Sequence, residues 1–238
     1  MQKNTAKEVA DALKNLATPD RAKNSARFFK TDPGQYGHGD RFIGVTVPEI
    51  RLVVSKYNAL SLKEIEKLLH SPIHEDRLAA LLILVSQYKK AKNNEVLQEE
   101  LVDFYLANIA FINNWDLVDG SAPYILGHYL WEKPKTLLEN LANSNNLWER
   151  RIAMISCFYF IRQGESKEAL QIAQMLLKDP HDLMHKAVGW MLREIGKNCG
   201  EKTLKDFLEK NYSKLPRTAF RYAIERFPEK ERKAWLKR

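Results

Sequence analysis

Apolar positions recur at three- and four-residue spacing in nearly every segment of the chain, and strand-like alternation is absent. That period predicts helices over residues 4–16, 19–30, 47–57, 61–71, 74–91, 95–111, 114–132, 135–143, 147–163, 166–178, 182–197, 201–213, 216–227 and 229–237. The connections are mostly two to four residues long, which makes successive helices antiparallel neighbours. Thr18-Pro19 puts a capping residue before a proline at the first helical position, and Ser61 with Glu64 reads as a capping box. The helix starts also repeat. Arg77-Leu78-Ala79, Asn114-Trp115-Asp116, Arg151-Ile152-Ala153, Lys186-Ala187-Val188 and Arg217-Thr218-Ala219 fall at intervals of 37, 37, 35 and 31 residues. One helix pair per interval is the signature of an α-solenoid, in which each pair buries its stripe on its neighbours and one row of helices lines a concave surface. The expected fold class is all-α.

One stretch breaks the helical pattern. Residues 31–45, TDPGQYGHGDRFIGV, hold four of the ten glycines. No Gly-Lys-Ser/Thr follows, so this is not a phosphate-binding P-loop, and no strand precedes it, so it is not a dinucleotide fingerprint. A loop of this length is either a well-packed surface loop or a flexible, backbone-rich contact for a ligand or polymer.

Composition narrows the class. The chain has 238 residues, 45% of them hydrophobic, with 24 aromatic residues, which excludes a largely disordered chain. Two cysteines, Cys157 and Cys199, cannot make a disulfide framework or a four-ligand zinc site alone. His181 and His185 are four apart but lack the Glu of a His-Glu-x-x-His motif, so no metal and no cofactor is expected. No apolar run reaches a membrane span, and the first residues carry no apolar signal-peptide core; a soluble cytoplasmic protein that binds no membrane is expected.

The net charge is +8, and it is concentrated at the ends. Residues 1–60 carry ten Lys/Arg against six Asp/Glu, and residues 201–238 carry twelve against six. The surplus suggests an anionic partner; the plain alternative is solubility charge.

Three helices on the presumed inner row start unusually. Trp115 and Asp119 are four residues apart and share a helix face. Arg151 follows Leu147-Trp148-Glu149-Arg150, and Trp190 and Arg193 are three apart. If the repeats superpose, Asp119, Arg151, Trp115 and Trp190 converge on one concave patch. Each has a structural alternative: a tryptophan as core, Asp119 as a local cap, and Arg151 paired with an Asp of the next repeat.

At these residues the chain resembles the AlkD family of bacterial DNA alkylation repair glycosylases. The matching stretches are FFKTDPGQYGHGDRFIGVTVPEIR, WDLVD, LWERRIA and HKAVGWMLREIGK, and the similarity spans nearly the whole length. It implies a single HEAT-like repeat domain over residues 1–238, a concave basic face that grips double-stranded DNA, a monomer, and excision of 3-methyladenine and 7-methylguanine. By motif, Asp119 matches the catalytic carboxylate. Trp115 and Trp190 match aromatics that pack on the lesion's sugar and backbone, and Arg151 matches the arginine of the site. Arg193 falls in the same stretch as Trp190. Phe28 stands where the best-known members have Tyr, so that hydroxyl is missing here.

The chemistry agrees with this implication. Alkylation at N3 or N7 makes the purine cationic, so it leaves neutral and needs no general acid. The site must instead oppose the positive charge developing on the sugar and place a water, and one carboxylate does both. Two other classes stay open: a non-catalytic solenoid that binds DNA or RNA, and a protein-scaffold HEAT array. A carboxylate facing phosphates would hinder the first, and an exposed tryptophan pair would be idle in the second.

Overall fold

The computed structural model describes residues 4–237. Among them are fourteen α-helices and no strand, with one isolated backbone bridge between Arg41 and Ile73. The chain divides into two compact units, residues 1–121 and 122–238.

The first unit holds α1 (Ala6–Lys14), α2 (Pro19–Phe28), α3 (Val47–Lys56), α4 (Leu62–Leu69), α5 (His74–Lys90), α6 (Glu95–Ala107) and α7 (Trp115–Asp119). Its centre is α5, where every residue from Leu78 to Val85 is buried. A helix that is apolar all round needs neighbours on every side, and α5 has them: α3, α4, α6 and α7 all pack against it. Each buried Leu or Ile there stabilises the fold by about 1.5–3 kcal/mol relative to exposure. The capping box expected at Ser61 does not form, because Glu64 instead accepts the Ala6 amide at 2.8 Å and so ties α1 to α4. A capping box does form at Thr5 and Glu8.

The second unit holds α8 (Thr136–Ala142), α9 (Leu147–Arg162), α10 (Lys167–Met175), α11 (Asp182–Asn198), α12 (Glu201–Asn211), α13 (Arg217–Ala223) and α14 (Glu229–Leu236). Here the repeat order is plain. α9 packs on α8, α10 and α11, while α11 packs on α9, α10, α12 and α13. Each helix thus touches both the next and the next but one, so α9, α11 and α13 form one row of an α-solenoid. No helix among the described residues is long and apolar enough to cross a membrane.

Thirteen of the fourteen expected helices appear with small changes at their ends. The exception, expected over 114–132, is divided. α7 stops at Asp119, and the chain resumes as a π-helical turn, Pro123–Gly127, with Gly127 N–H bonded to Ala122 O at 2.9 Å. Pro123 has no N–H for the carbonyl four residues back, which is that of Asp119, and its ring crowds the same turn. The break leaves Asp119 as the last helical residue of α7.

Glycine sets the spacing of the row in the second unit. A Cβ at Gly189 would lie 2.4 Å from Ala219 O and 2.6 Å from Tyr222 Cβ. These atoms belong to the α13 backbone and its first side-chain carbon, so α11 and α13 would have to separate. Gly189→Ala should therefore lower the unfolding free energy by roughly 1–3 kcal/mol despite alanine's better helix propensity. Urea unfolding would measure this; an unchanged midpoint would contradict the close approach.

Candidate active site

The sequence-predicted site residues fall in both units. Phe28, Trp115 and Asp119 lie in the first; Arg151, Trp190 and Arg193 lie in the second.

In the first unit the site is built from the end of α2, the glycine-rich loop, the start of α5 and the whole of α7. Phe28 closes α2, and Lys30 then takes a left-handed conformation (φ 54°) that turns the chain back. Gly37 N–H bonds to Lys30 O at 3.1 Å. Farther on, the loop is docked on α5. The Glu75 carboxylate accepts the amides of Ile43, Gly44 and Val45 at 2.8–3.3 Å, while Arg41 N–H donates to Pro72 O and Arg41 O accepts from His74 N–H. Gly44 has φ +81°, and a Cβ there would lie 2.2 Å from Thr18 O, so glycine is required. The second half of the loop is therefore an integral part of the fold.

Its reason is a buried charged network that the sequence did not reveal. His74, the first residue of α5, is 2% exposed. Its Nδ1 faces Asp40 Oδ2 at 3.1 Å and its Nε2 faces Asp116 Oδ2 at 2.8 Å. Asp40 also accepts from Arg77 Nη2 at 2.6 Å and from Asn114 Nδ2 at 2.8 Å. Both ring nitrogens thus face carboxylates, and only an imidazolium can donate from both. Burial alone would lower the His74 pKa, but the Asp116 and Asp40 carboxylates outweigh it and raise the value to about 9. Burial likewise opposes ionisation of Asp40, yet its bonds to His74 and Asn114 and the charge of Arg77 hold it below the usual carboxylate range.

A cluster of rings packs on the imidazolium, with Phe29 5.0 Å from it between centroids. Phe42 stacks on His74 at 4.5 Å between centroids, Phe29 on Phe42 at 4.9 Å, and Trp115 on Phe29 at 5.1 Å with 11° between the planes. Phe28 meets the Trp115 ring edge-on at 5.9 Å and is 67% exposed. Trp115 is half-buried, and Asp119, also half-buried, lies one turn along α7. Tyr105 beneath it is fully buried and hydrogen-bonded to Ser121; burial, and also the charge of Asp119, push its phenol up. The structure thus brings Phe28 and Trp115 into contact and puts Asp119 on the same short helix.

In the second unit the arginines are tied to protein groups. Arg151 is 4% exposed, and its Nη1 donates to Leu183 O at 2.8 Å. A guanidinium so placed braces the start of α11 against α9. One residue earlier, Arg150 Nε donates to Asp179 at 2.6 Å, a pairing between successive repeats. Arg193 pairs with Glu225 and Glu194, and it lines a cleft of about 470 Å³ together with Arg221, Arg232 and Tyr222. Trp190 is half-buried and lies 5.6 Å from the Phe158 ring. His181 caps α11, and His185 bonds to Asp179 O at 2.6 Å. Among the described residues no cluster of His, Cys, Asp or Glu could hold a metal ion.

Fold and site together define an all-helical repeat protein with a carboxylate beside an aromatic face. The family model described as DNA alkylation repair enzyme matches residues 9–227, so the chain belongs to the DNA alkylation repair enzyme family. Its fold is similar to that of a solved structure titled "Predicted DNA alkylation repair enzyme from Enterococcus faecalis", with a TM-score of 0.68 and 16% identity over 90% of this chain and 98% of that one. No curated protein sequence matches the chain.

The network has a thermodynamic consequence. His74 binds its proton more tightly when folded, so its contribution is complete below its ordinary value of 6.5 and is lost as pH rises through about 9. At about 1.4 kcal/mol per pKa unit, wild type should lose on the order of 3 kcal/mol relative to His74→Gln between pH 6 and 10. Denaturant unfolding of both proteins across that range would measure it; parallel stability curves would contradict a charged His74.

Proposed function

We propose that this chain is a monofunctional DNA glycosylase, acting as a cytoplasmic monomer on double-stranded DNA. It would excise cationic alkylated purines, chiefly 3-methyladenine and 7-methylguanine. The observation that carries this reading is the pairing on α7 of a half-buried carboxylate, Asp119, with a half-buried tryptophan whose ring is held by Phe28 and Phe29. Membership of the DNA alkylation repair enzyme family supports it.

In this reading the bond from C1′ to the purine nitrogen breaks, and its electron pair neutralises the positive charge on the base. The base leaves neutral, so the missing general acid is no defect. The sugar becomes oxocarbenium-like, and the Asp119 carboxylate opposes that charge. Water then adds at C1′, and the carboxylate accepts its proton. The faces of Trp115 and Phe28 offer a cationic lesion about 0.5–2 kcal/mol per ring. Missing from Phe28 is the phenolic hydroxyl of a Tyr, so it acts through its ring alone. Trp190 and Arg193 are assigned contacts with the DNA from the second unit, and Arg151 acts by bracing the helix that carries them. HEAT-like repeats would form the scaffold for both units.

The absence of an acid also sets selectivity. Uracil and hypoxanthine leave as anions unless protonated, so they should stay in the DNA while 7-methylguanine is released. Asp119→Asn keeps the shape but removes the charge, and should slow single-turnover release of 7-methylguanine by roughly 10²–10³ while DNA affinity is kept or rises. Uracil release at the same rate, or an unchanged rate in Asp119→Asn, would refute the mechanism. Duplex binding with no release from methylated DNA would identify a non-catalytic member.

A further inference from the structure

We propose that His74 is the positioning residue of this site: held as an imidazolium between Asp40 and Asp116, it locks the glycine-rich loop to the first turn of α7 and thereby fixes Trp115 and Asp119. The proposal rests on the reading of Asp119 as the reacting carboxylate.

The geometry carries it. α7 has only five residues, and a helix of that length is not stable by itself. Something outside must hold it, and its first turn is held by charge. Asn114 caps it, and the Asn114 side chain donates to Asp40 at 2.8 Å. Asp116 receives the His74 ring at 2.8 Å on one oxygen and the Leu117 amide at 2.9 Å on the other. Trp115 lies between these two anchored residues, with its ring stacked on Phe29. Phe29 in turn lies 5.0 Å from the His74 ring and stacks on Phe42, which also covers that ring. His74 therefore reaches Trp115 by two routes, the hydrogen bonds of α7 and the ring contacts through Phe29.

The charges around His74 balance only when it is protonated. Asp40 faces it from the loop, Asp116 faces it from α7, and Arg77 joins it from α5. The two other acids of α5 are engaged elsewhere, Glu75 with the loop amides and Asp76 with Ser71 Oγ at 2.7 Å. Two largely buried carboxylates then meet two cations. A neutral imidazole would leave one carboxylate oxygen facing a lone pair and one buried charge uncompensated, which is costly in this setting. The same contacts raise the His74 pKa to about 9. At neutral pH the clamp is closed, and it opens under mildly alkaline conditions.

The test is a ¹⁹F NMR titration of protein labelled with 5-fluorotryptophan, with the Trp115 signal assigned by Trp115→Phe. The chain has five tryptophans, so the other four are internal controls. In the wild type the Trp115 signal should shift with a midpoint near pH 9, and Asp116→Asn should move that midpoint down toward the ordinary histidine value. In His74→Gln the shift should vanish. Single-turnover release of 7-methylguanine at pH 7.5 should fall roughly 10- to 100-fold in His74→Gln, as expected for a displaced reacting group, with DNA affinity kept. A Trp115 signal that is flat from pH 7 to 10.5, an equal shift in His74→Gln, or an unchanged release rate in that variant would overturn the proposal. A His74→Gln protein that does not fold leaves the wild-type and Asp116→Asn titrations to decide. Wild-type protein that releases no base at all would sink the glycosylase reading instead, and the titration would still decide the positioning.

Discussion

An imidazolium buried between two carboxylates is the constraint on which the first unit depends. His74 has a protein carboxylate on each ring nitrogen, and the two carboxylates come from different segments, Asp40 in the loop and Asp116 in α7. Arg77 and Asn114 complete the set around Asp40. Such a cluster is rarely the cheapest way to fill a core; replacing one with apolar residues is often neutral or stabilising. What apolar packing does not supply is register. Hydrogen-bonded charges fix where a five-residue helix sits, and Trp115 and Asp119 are carried on that helix.

The second unit is organised by a different constraint. There α9, α11 and α13 pack in a row, and the approach of α11 to α13 is limited by backbone atoms meeting at Gly189. Arginines tie the row together, Arg150 to Asp179 and Arg151 to Leu183 O. The row delivers Trp190 and Arg193 from one face-to-face stack of helices, with Arg193 held by two glutamates at the edge of an arginine-lined cleft. Close helix packing sets the spacing of the row, and ionic contacts tie its edges, whereas in the first unit an ionic cluster holds the short helix.

The helical frame was legible in the sequence because burial follows a 3.6-residue period whatever the tertiary contacts are. The division of 114–132 was legible too, in Pro123, but the strong apolar period across Leu117, Val118, Ile125 and Leu126 masked it. Arg77 stood out only as a repeat marker, and Arg151 as a repeat marker and a candidate site residue. Both turn out to be buried, with partners 37 and 32 residues away. The His74 network had no local sign. Asp40 and Asp116 lie 34 and 42 residues from His74, on opposite sides of it in the chain. His74-Glu75-Asp76-Arg77 reads as a polar helix start and is in fact buried throughout. The glycine-rich loop was recognised, but its docking by Glu75 could not be read, since one side chain there satisfies three amides about thirty residues distant. Of the site, the candidate reacting residues came from motif and spacing, while the residues that hold them in place came only from the structure.

The account's central claim is that the buried network acts on the chemistry chiefly through the placement of Asp119. A double-mutant cycle between His74→Gln and Asp119→Asn tests this directly, with single-turnover release of 7-methylguanine as the readout. If His74 works by placing the carboxylate, its loss should cost much less in the Asp119→Asn background than in the wild type, so the two effects are strongly non-additive. Full additivity, with His74→Gln slowing the Asp119→Asn protein as much as it slows the wild type, would contradict the claim.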